Sequence, residues 1–249
     1  PKPSSGDQLL LNSLVLPEHV IHQALAWRSQ HRLSRLDWYA HEGDPWVWLP
    51  DPAWPERLRQ GLDQGMLQIR VPSRRTREIY ATWLDWSGPA LAVQWPRLLL
   101  PEQQLSHCPP SDDLLRLQLT GMAGCGQKGH LWVLRWIEAA LAEQPQGTPG
   151  VRDLQLQFIG LETGPYAAFT RELCRRGKAL LGEQFSWHEH GSREQALAAM
   201  AQADLALSCS LSETFSLVAA EAMALGKPLL RNRTGGWHEQ LLPGITGFD

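Results

Sequence analysis

Ser212-Glu213-Thr214-Phe215-Ser216-Leu217-Val218-Ala219-Ala220-Glu221-Ala222-Met223-Ala224-Leu225-Gly226-Lys227-Pro228 is the stretch on which the reading of this chain turns. An apolar strand at 205–208 ends just before it, a polar loop follows, and an alanine-rich helix begins near Ser216 and runs through Ala224. Gly226 closes the helix ahead of another strand at 228–230. The loop therefore lies outside the carboxyl end of a parallel strand, where open α/β sheets bind ligands. Backbone N–H groups at the helix start lack intrahelical partners and sit at the positive end of the helix dipole, which suits a diphosphate. Glu213 falls in the loop and Glu221 one to two turns inside the helix, and each carboxylate can accept a pair of hydroxyl hydrogen bonds, one set from a sugar and one from a ribose. Two isolated glutamates would ordinarily be a helix-start charge and a surface residue. The pattern around them argues for more.

Outward from this stretch the second half alternates strand and helix: a strand over 114–120, a glycine-rich loop, an amphipathic helix over 130–142, a loop at 144–150 and a strand over 154–159. A turn at Gly164-Pro165 then leads into a helix reaching about residue 176, and a helix over 196–203 feeds the strand at 205–208. The loop Gly121-Met122-Ala123-Gly124-Cys125-Gly126-Gln127-Lys128-Gly129 leaves a strand, lets backbone approach a phosphate closely, and carries the charge of Lys128. The first half gives strands at 9–13, 36–40 and 67–71 with helical patterns at 17–31 and 76–83. That order predicts parallel βαβ units. Periodicity breaks down between about Pro96 and Ser111, among four prolines. The expected architecture is α/β with two Rossmann-like domains, 1–105 and 106–249.

These motifs resemble the retaining GT-B glycosyltransferases that carry a Glu-x7-Glu signature (glycosyltransferase family 4, glycosyl transferases group 1). The match runs from Ser212 to Pro228 and is extended by Ala203-Asp204-Leu205-Ala206-Leu207, by Gly160-Leu161-Glu162-Thr163-Gly164-Pro165-Tyr166, by Thr234-Gly235-Gly236 and by Gly244-Ile245-Thr246-Gly247. The resemblance implies two domains facing a cleft, the first binding the acceptor and the second a UDP- or GDP-linked sugar. It implies that Glu221 holds the ribose, that Glu213 contacts the transferred sugar, and that the backbone of Thr214, Phe215, Ser216 and Leu217, with Gly121, Gly126 and Lys128, receives the diphosphate. No metal or other cofactor is implied, since helix N-termini and basic side chains can neutralise the leaving group. In the first half, Asn12-Ser13, Trp38-Tyr39-Ala40-His41-Glu42 and Val71-Pro72-Ser73-Arg74-Arg75-Thr76 resemble landmarks of the acceptor domain. By that likeness His41 stands near the reacting end of the donor sugar. The chain departs from the family where an arginine commonly accompanies the lysine: Met122 and Gln127 occupy those places, with Arg231 or Arg233 as substitutes in space. Against the family pattern the first domain is expected to be partial and the second to lack its last elements.

Bulk properties agree with a soluble globular protein. Hydrophobic residues make up 43% and charged residues 20%, and 23 Lys and Arg stand against 26 Asp and Glu. That balance argues against a nucleic-acid binder relying on bulk positive charge. No apolar run approaches the roughly 20 residues of a membrane span, the first residues lack a signal-peptide core, and peripheral membrane contact stays open. The four cysteines lack metal-site spacing, so a reducing cytoplasm is expected. Twelve tryptophans, most before residue 137, suit core packing, with a sugar-stacking platform as the sharper alternative. The expected activity is retaining transfer of a hexosyl-type sugar from a nucleotide sugar to a hydroxyl of a glycan or other acceptor. A non-catalytic nucleotide-sugar-binding module of a multidomain protein is the alternative, followed by a sugar-nucleotide epimerase or a glycan phosphorylase on the same architecture.

Overall fold

The computed structural model describes residues 3–98, 100, 109, 113–122, 125–143, 153–160, 166–234 and 236–241. Two compact units emerge. The first comprises Pro1–Arg97 together with Glu213–Phe215 and the described part of 235–239, and the second comprises most of the remainder.

In the first unit a four-stranded parallel sheet is ordered β1 (Gln8–Leu11), β2 (Arg35–Tyr39), β3 (Gln68–Val71), β4 (Leu91–Val93). Strands added one after another in the same direction through right-handed crossovers leave all their helices on one face. The burial pattern follows. Leu11, Leu36, Trp38, Ile69, Val71 and Leu91 point into a core shared with α1 (Glu18–Ser29), α3 (Trp54–Asp63) and α4 (Arg74–Leu84). The intervening side chains form a polar second face, where Arg35 pairs with Asp37 and both Arg35 and Arg70 donate to Gln68. A parallel sheet covered on both sides would be apolar throughout, so the period-2 alternation in β2 and β3 reports a sheet covered on one side only. The short α2 (Pro45–Trp48) and the helix α3 were not expected from periodicity, nor was β4. Trp38 and Trp54 are sealed in this core, whereas Trp46, Trp48 and Trp95 are exposed.

The second unit holds a five-stranded parallel sheet ordered β7 (Phe185–Glu189), β6 (Asp153–Gly160), β5 (Leu114–Thr120), β8 (Leu205–Ser208), β9 (Leu229–Arg231). The chain steps outward from β5 to β6 and β7, then returns to the other side of β5 for β8 and β9. The reversal puts α5 (His130–Glu143) and α6 (Ala167–Leu181) on one face and α7 (Arg193–Gln202) and α8 (Leu217–Ala224) on the other. On the first face Leu117, Leu119, Leu156, Phe158, Phe185 and Leu207 pack with Val133, Leu134, Ile137 and Leu173. On the second, Ala206 meets Met200 and Ala222. A short helix α9 (Trp237–Gln240) follows β9. The strand β7 was not expected, and α6 extends five residues beyond the predicted end at Arg176 to Leu181. The expected turn at Gly164-Pro165, the loop at 144–150 and the Gly244–Gly247 motif lie outside the described residues.

Gly177 offers a test of packing in this unit. A Cβ added there would stand 2.5 Å from Cε2 of the buried Phe185 ring. Replacing a mid-helix glycine by alanine ordinarily stabilises a helix by roughly 0.5–1 kcal/mol, but overpacking a core ordinarily costs about 1–3 kcal/mol. Gly177→Ala is therefore expected to destabilise the protein, read as a lower denaturant midpoint with an unchanged slope. A raised midpoint would show that the α6–β7 contact is loose.

Candidate functional site

The switch in strand order falls between β5 and β8, so the loops leaving their carboxyl ends flank the position where open α/β sheets bind ligands. The structure brings these loops into direct contact. Leu211 N donates to Gln127 O at 2.7 Å, and Gln127 Nε2 donates to Ser212 O at 2.9 Å. Gly129, with φ +80°, lies so close to the β8 end that a Cβ would be 2.1 Å from Cys209 O. Gly121 has φ +151°, and the stem of Lys128 lies over it, with Cγ 3.0 Å from the place a Cβ would take. Gly126 is also left-handed, at φ +61°. These positions need glycine because a side chain would be strained there or would collide with backbone. Gln127, which stands where an arginine was expected, thus spends its amide in tying the two loops together.

Helix α8 begins beside this junction. Ser216 is its N-cap: its Oγ accepts from Ala219 N at 3.2 Å and lies 3.0 Å from Ser208 Oγ. Ser216 N donates to Gln240 Oε1 at 3.4 Å, Gln240 Nε2 donates back to Ser216 O at 2.8 Å, and Arg231 Nη1 donates to the same Gln240 oxygen at 2.8 Å. A guanidinium is thereby held one side chain away from the positive end of the helix. Asn232 Nδ2 donates to Cys209 O and Ser210 O, and Thr234 Oγ1 to Ser210 O, bracing the loop after β8 from the strand beside it. Sequence reading named Arg231 as a candidate and missed Gln240 and Asn232, whose partners are far from them in the chain.

Glu221 lies inside α8 and is only 8% exposed, not a surface carboxylate. Arg193, the first residue of α7, donates to its Oε1 through Nε at 2.9 Å and Nη2 at 2.8 Å. Nothing in the motif around Arg193 pointed to this pairing.

The remaining expected site residues lie in the first unit. Glu213, Thr214 and Phe215 are half-buried there, and Thr214 Oγ1 donates to His41 O at 2.7 Å. The His41 ring bonds Asn12 Oδ1 through Nε2 at 2.9 Å and meets the edge of Tyr39 at 4.4 Å between centroids. Burial lowers the His41 pKa, opposed by the charge of Glu42. Glu42 itself holds the loop after β1, accepting from Ser13 Oγ at 2.5 Å and Leu14 N at 2.9 Å. Across 165 positions of chain, Glu239 accepts from Arg74 N and Arg75 N at the start of α4. Among the described residues no group of three or more His, Cys, Asp or Glu side chains could hold a metal ion, and no helix is long and apolar enough to cross a membrane.

A one-faced parallel unit followed by a doubly wound unit with a glycine-rich switch point defines a partial GT-B architecture. Residues 141–248 match the family model described as glycosyl transferases group 1. Among solved structures it is similar to HepE of Anabaena, solved with UDP-glucose, at TM-score 0.63 and 19% identity, covering 97% of this chain and 64% of that one. It is similar also to a UDP-forming α,α-trehalose-phosphate synthase from Burkholderia xenovorans (TM-score 0.68, 13% identity, 96% and 61% covered). A third likeness is to sucrose-phosphate synthase from Thermosynechococcus elongatus (0.59, 19%, 97% and 59%). The chain thus spans about three fifths of the length of these structures, and what it shares with them at such identity is the fold. No curated protein matches the sequence.

His130 opens α5 directly after Lys128 and Gly129. It is sealed in the core edge-on to Phe158 at 4.7 Å, with neither ring nitrogen bonded. Burial, helped by the charge of Lys128, lowers its pKa from 6.5 to about 3. A histidine that resists protonation when folded leaves stability intact above pH 6.5 and erodes it as pH falls from 6.5 toward 3, by about 1.4 kcal/mol per unit. Comparing His130→Leu with the parent, the variant should gain roughly 2 kcal/mol in relative stability between pH 7.5 and pH 5. Parallel stability–pH curves for the two proteins would contradict the neutral, buried imidazole.

Proposed function

We propose that this chain carries the donor-binding unit, and part of the acceptor unit, of a retaining glycosyltransferase. It would move a hexosyl-type sugar from a nucleotide sugar to a hydroxyl of a glycan or other acceptor without a metal ion. The observation that carries this reading is the buried carboxylate of Glu221 on the helix that starts at the switch point, eight residues after Glu213. Glu221 is assigned to the ribose hydroxyls, and Glu213 to the transferred sugar. The diphosphate is assigned to the start of α8 with Thr214, Phe215, Ser216 and Leu217, and to the loop of Gly121, Gly126 and Lys128. The N–H groups of Leu217 and Val218, which have no acceptor within the helix, and the helix dipole favour the charge that develops on the leaving group. Arg231, tethered through Gln240 to the helix start, supplies the positive charge that Met122 and Gln127 do not. The complex of HepE with UDP-glucose supports a UDP-linked donor. His41, its pKa lowered by burial, is assigned to the donor sugar's reacting end. No protein nucleophile is invoked: positioning of the acceptor and stabilisation of the departing diphosphate do the chemistry, with retention at the anomeric carbon.

Glu221→Ala should remove charge-assisted hydrogen bonds of about 1.5–3 kcal/mol and weaken UDP binding by roughly one to two powers of ten. Glu213→Ala should lower turnover of UDP-sugar more than it lowers UDP affinity. Calorimetry for binding and product formation for turnover read these separately. Nucleotide binding without turnover in the unmutated protein would support a non-catalytic module, and unchanged behaviour in both variants would end the donor-site reading.

A further inference from the structure

Arg193 has no place in the motifs that mark the site, yet among the described residues it makes the only side-chain hydrogen bonds to the Glu221 carboxylate. Its backbone is fixed: Ser192 caps α7 in a reciprocal capping box, Ser192 Oγ accepting from Gln195 N and Gln195 Oε1 accepting from Ser192 N. From this anchored helix start the guanidinium reaches across to α8. An arginine fork usually spans both oxygens of a carboxylate. Here Nε and Nη2 both fall on Oε1, at 2.9 and 2.8 Å. Two donors occupy the lone pairs of Oε1, and Oε2 is left without a partner among the described residues. The Glu221 side chain is 10% exposed, while that of Arg193 is 48% exposed.

We propose that Arg193 is a positioning residue for nucleotide recognition: by taking Oε1 end-on it locks the carboxylate so that Oε2 is presented to the vicinal hydroxyls of a ribose. The inference rests on the assignment of Glu221 to the ribose. A carboxylate with one aimed and accepting oxygen loses less freedom on binding than one that rotates. A plain helix-to-helix ion pair would need only the charge, and would serve equally well in a fork spanning both oxygens.

The test uses UDP and its 2′,3′-dideoxy analogue as probes, titrated by calorimetry into the protein and into Arg193→Ala, Arg193→Gln, Arg193→Lys and Glu221→Ala. Arg193→Gln retains a shorter stem and an uncharged amide NH2 donor, and thermal melts establish that each variant is folded. Arg193→Ala is expected to weaken UDP about tenfold and to leave the dideoxy analogue unchanged, with Arg193→Lys and Arg193→Gln intermediate for UDP. In the Glu221→Ala background, Arg193→Ala should have no further effect on UDP. If Glu221→Ala weakens UDP while Arg193→Ala and Arg193→Gln do not, the positioning role is wrong and the ribose assignment stands. Equal weakening of UDP and the dideoxy analogue overturns it too, since the residue then acts elsewhere than through the hydroxyls. If Glu221→Ala leaves UDP binding unchanged, the ribose assignment fails and the role of Arg193 with it.

Discussion

The second unit is organised by the approach of Gly129 to the carbonyl of Cys209. At that point the loops of the two strands flanking the topological switch touch, and no side chain fits between them. The close approach seats Gln127 against Leu211 and Ser212 and brings the starts of α5 and α8 to the same end of the sheet. Two helix N-termini, each the positive end of its dipole, then lie at the same end of the sheet, a disposition that follows from strand order. The loops can be short and glycine-rich because neighbouring parallel strands hold their anchors within a few ångströms of one another.

Polar side chains at this end are bound into a framework. Gln240 bridges Arg231 to the helix start, Asn232 and Thr234 grip the loop after β8, and Arg193 holds Glu221. A nearly buried carboxylate without a partner would be costly, so Arg193 resolves the charge of Glu221 while leaving one oxygen to accept. His130 is handled in the opposite way: beside Lys128 and Phe158 it stays neutral, and the core tolerates it only in that form. The first unit shows a third solution. Its one-sided sheet pairs Arg35 with Asp37 and Arg70 with Gln68 across the open face, where water screens them.

Much of this fold was legible in the chain. The apolar–polar alternation over 114–120 and the short apolar run at 205–208 located β5 and β8 to the residue. The helix after Glu213 was equally plain from its alanine-rich composition and the Gly226 that closes it. Strand β7 was not, because Phe185-Ser186-Trp187-His188-Glu189 lies at the edge of its sheet, where only one side needs burying and the pattern is weak. Helix α3, Trp54-Pro55 through Asp63, was hidden by its proline and charges, although proline is well suited to the first turn of a helix. The exposed Trp46, Trp48, Trp132 and Trp136 show that tryptophan content does not measure core size.

By itself the sequence determined the class of fold, the family resemblance of the second unit, and the identity of the carboxylates, glycines and lysine assigned to the donor. These are properties of contiguous segments, carried by spacing and by residue types that few other backbones require. Tertiary structure alone decided which partner each residue meets. Glu221 found Arg193, 28 positions away, Gln240 reached the cap of α8, and Gln127 became a tie between loops in place of the expected arginine. Such pairings depend on which strands lie side by side and on the direction in which each helix returns, so they exist only once the sheet has assembled.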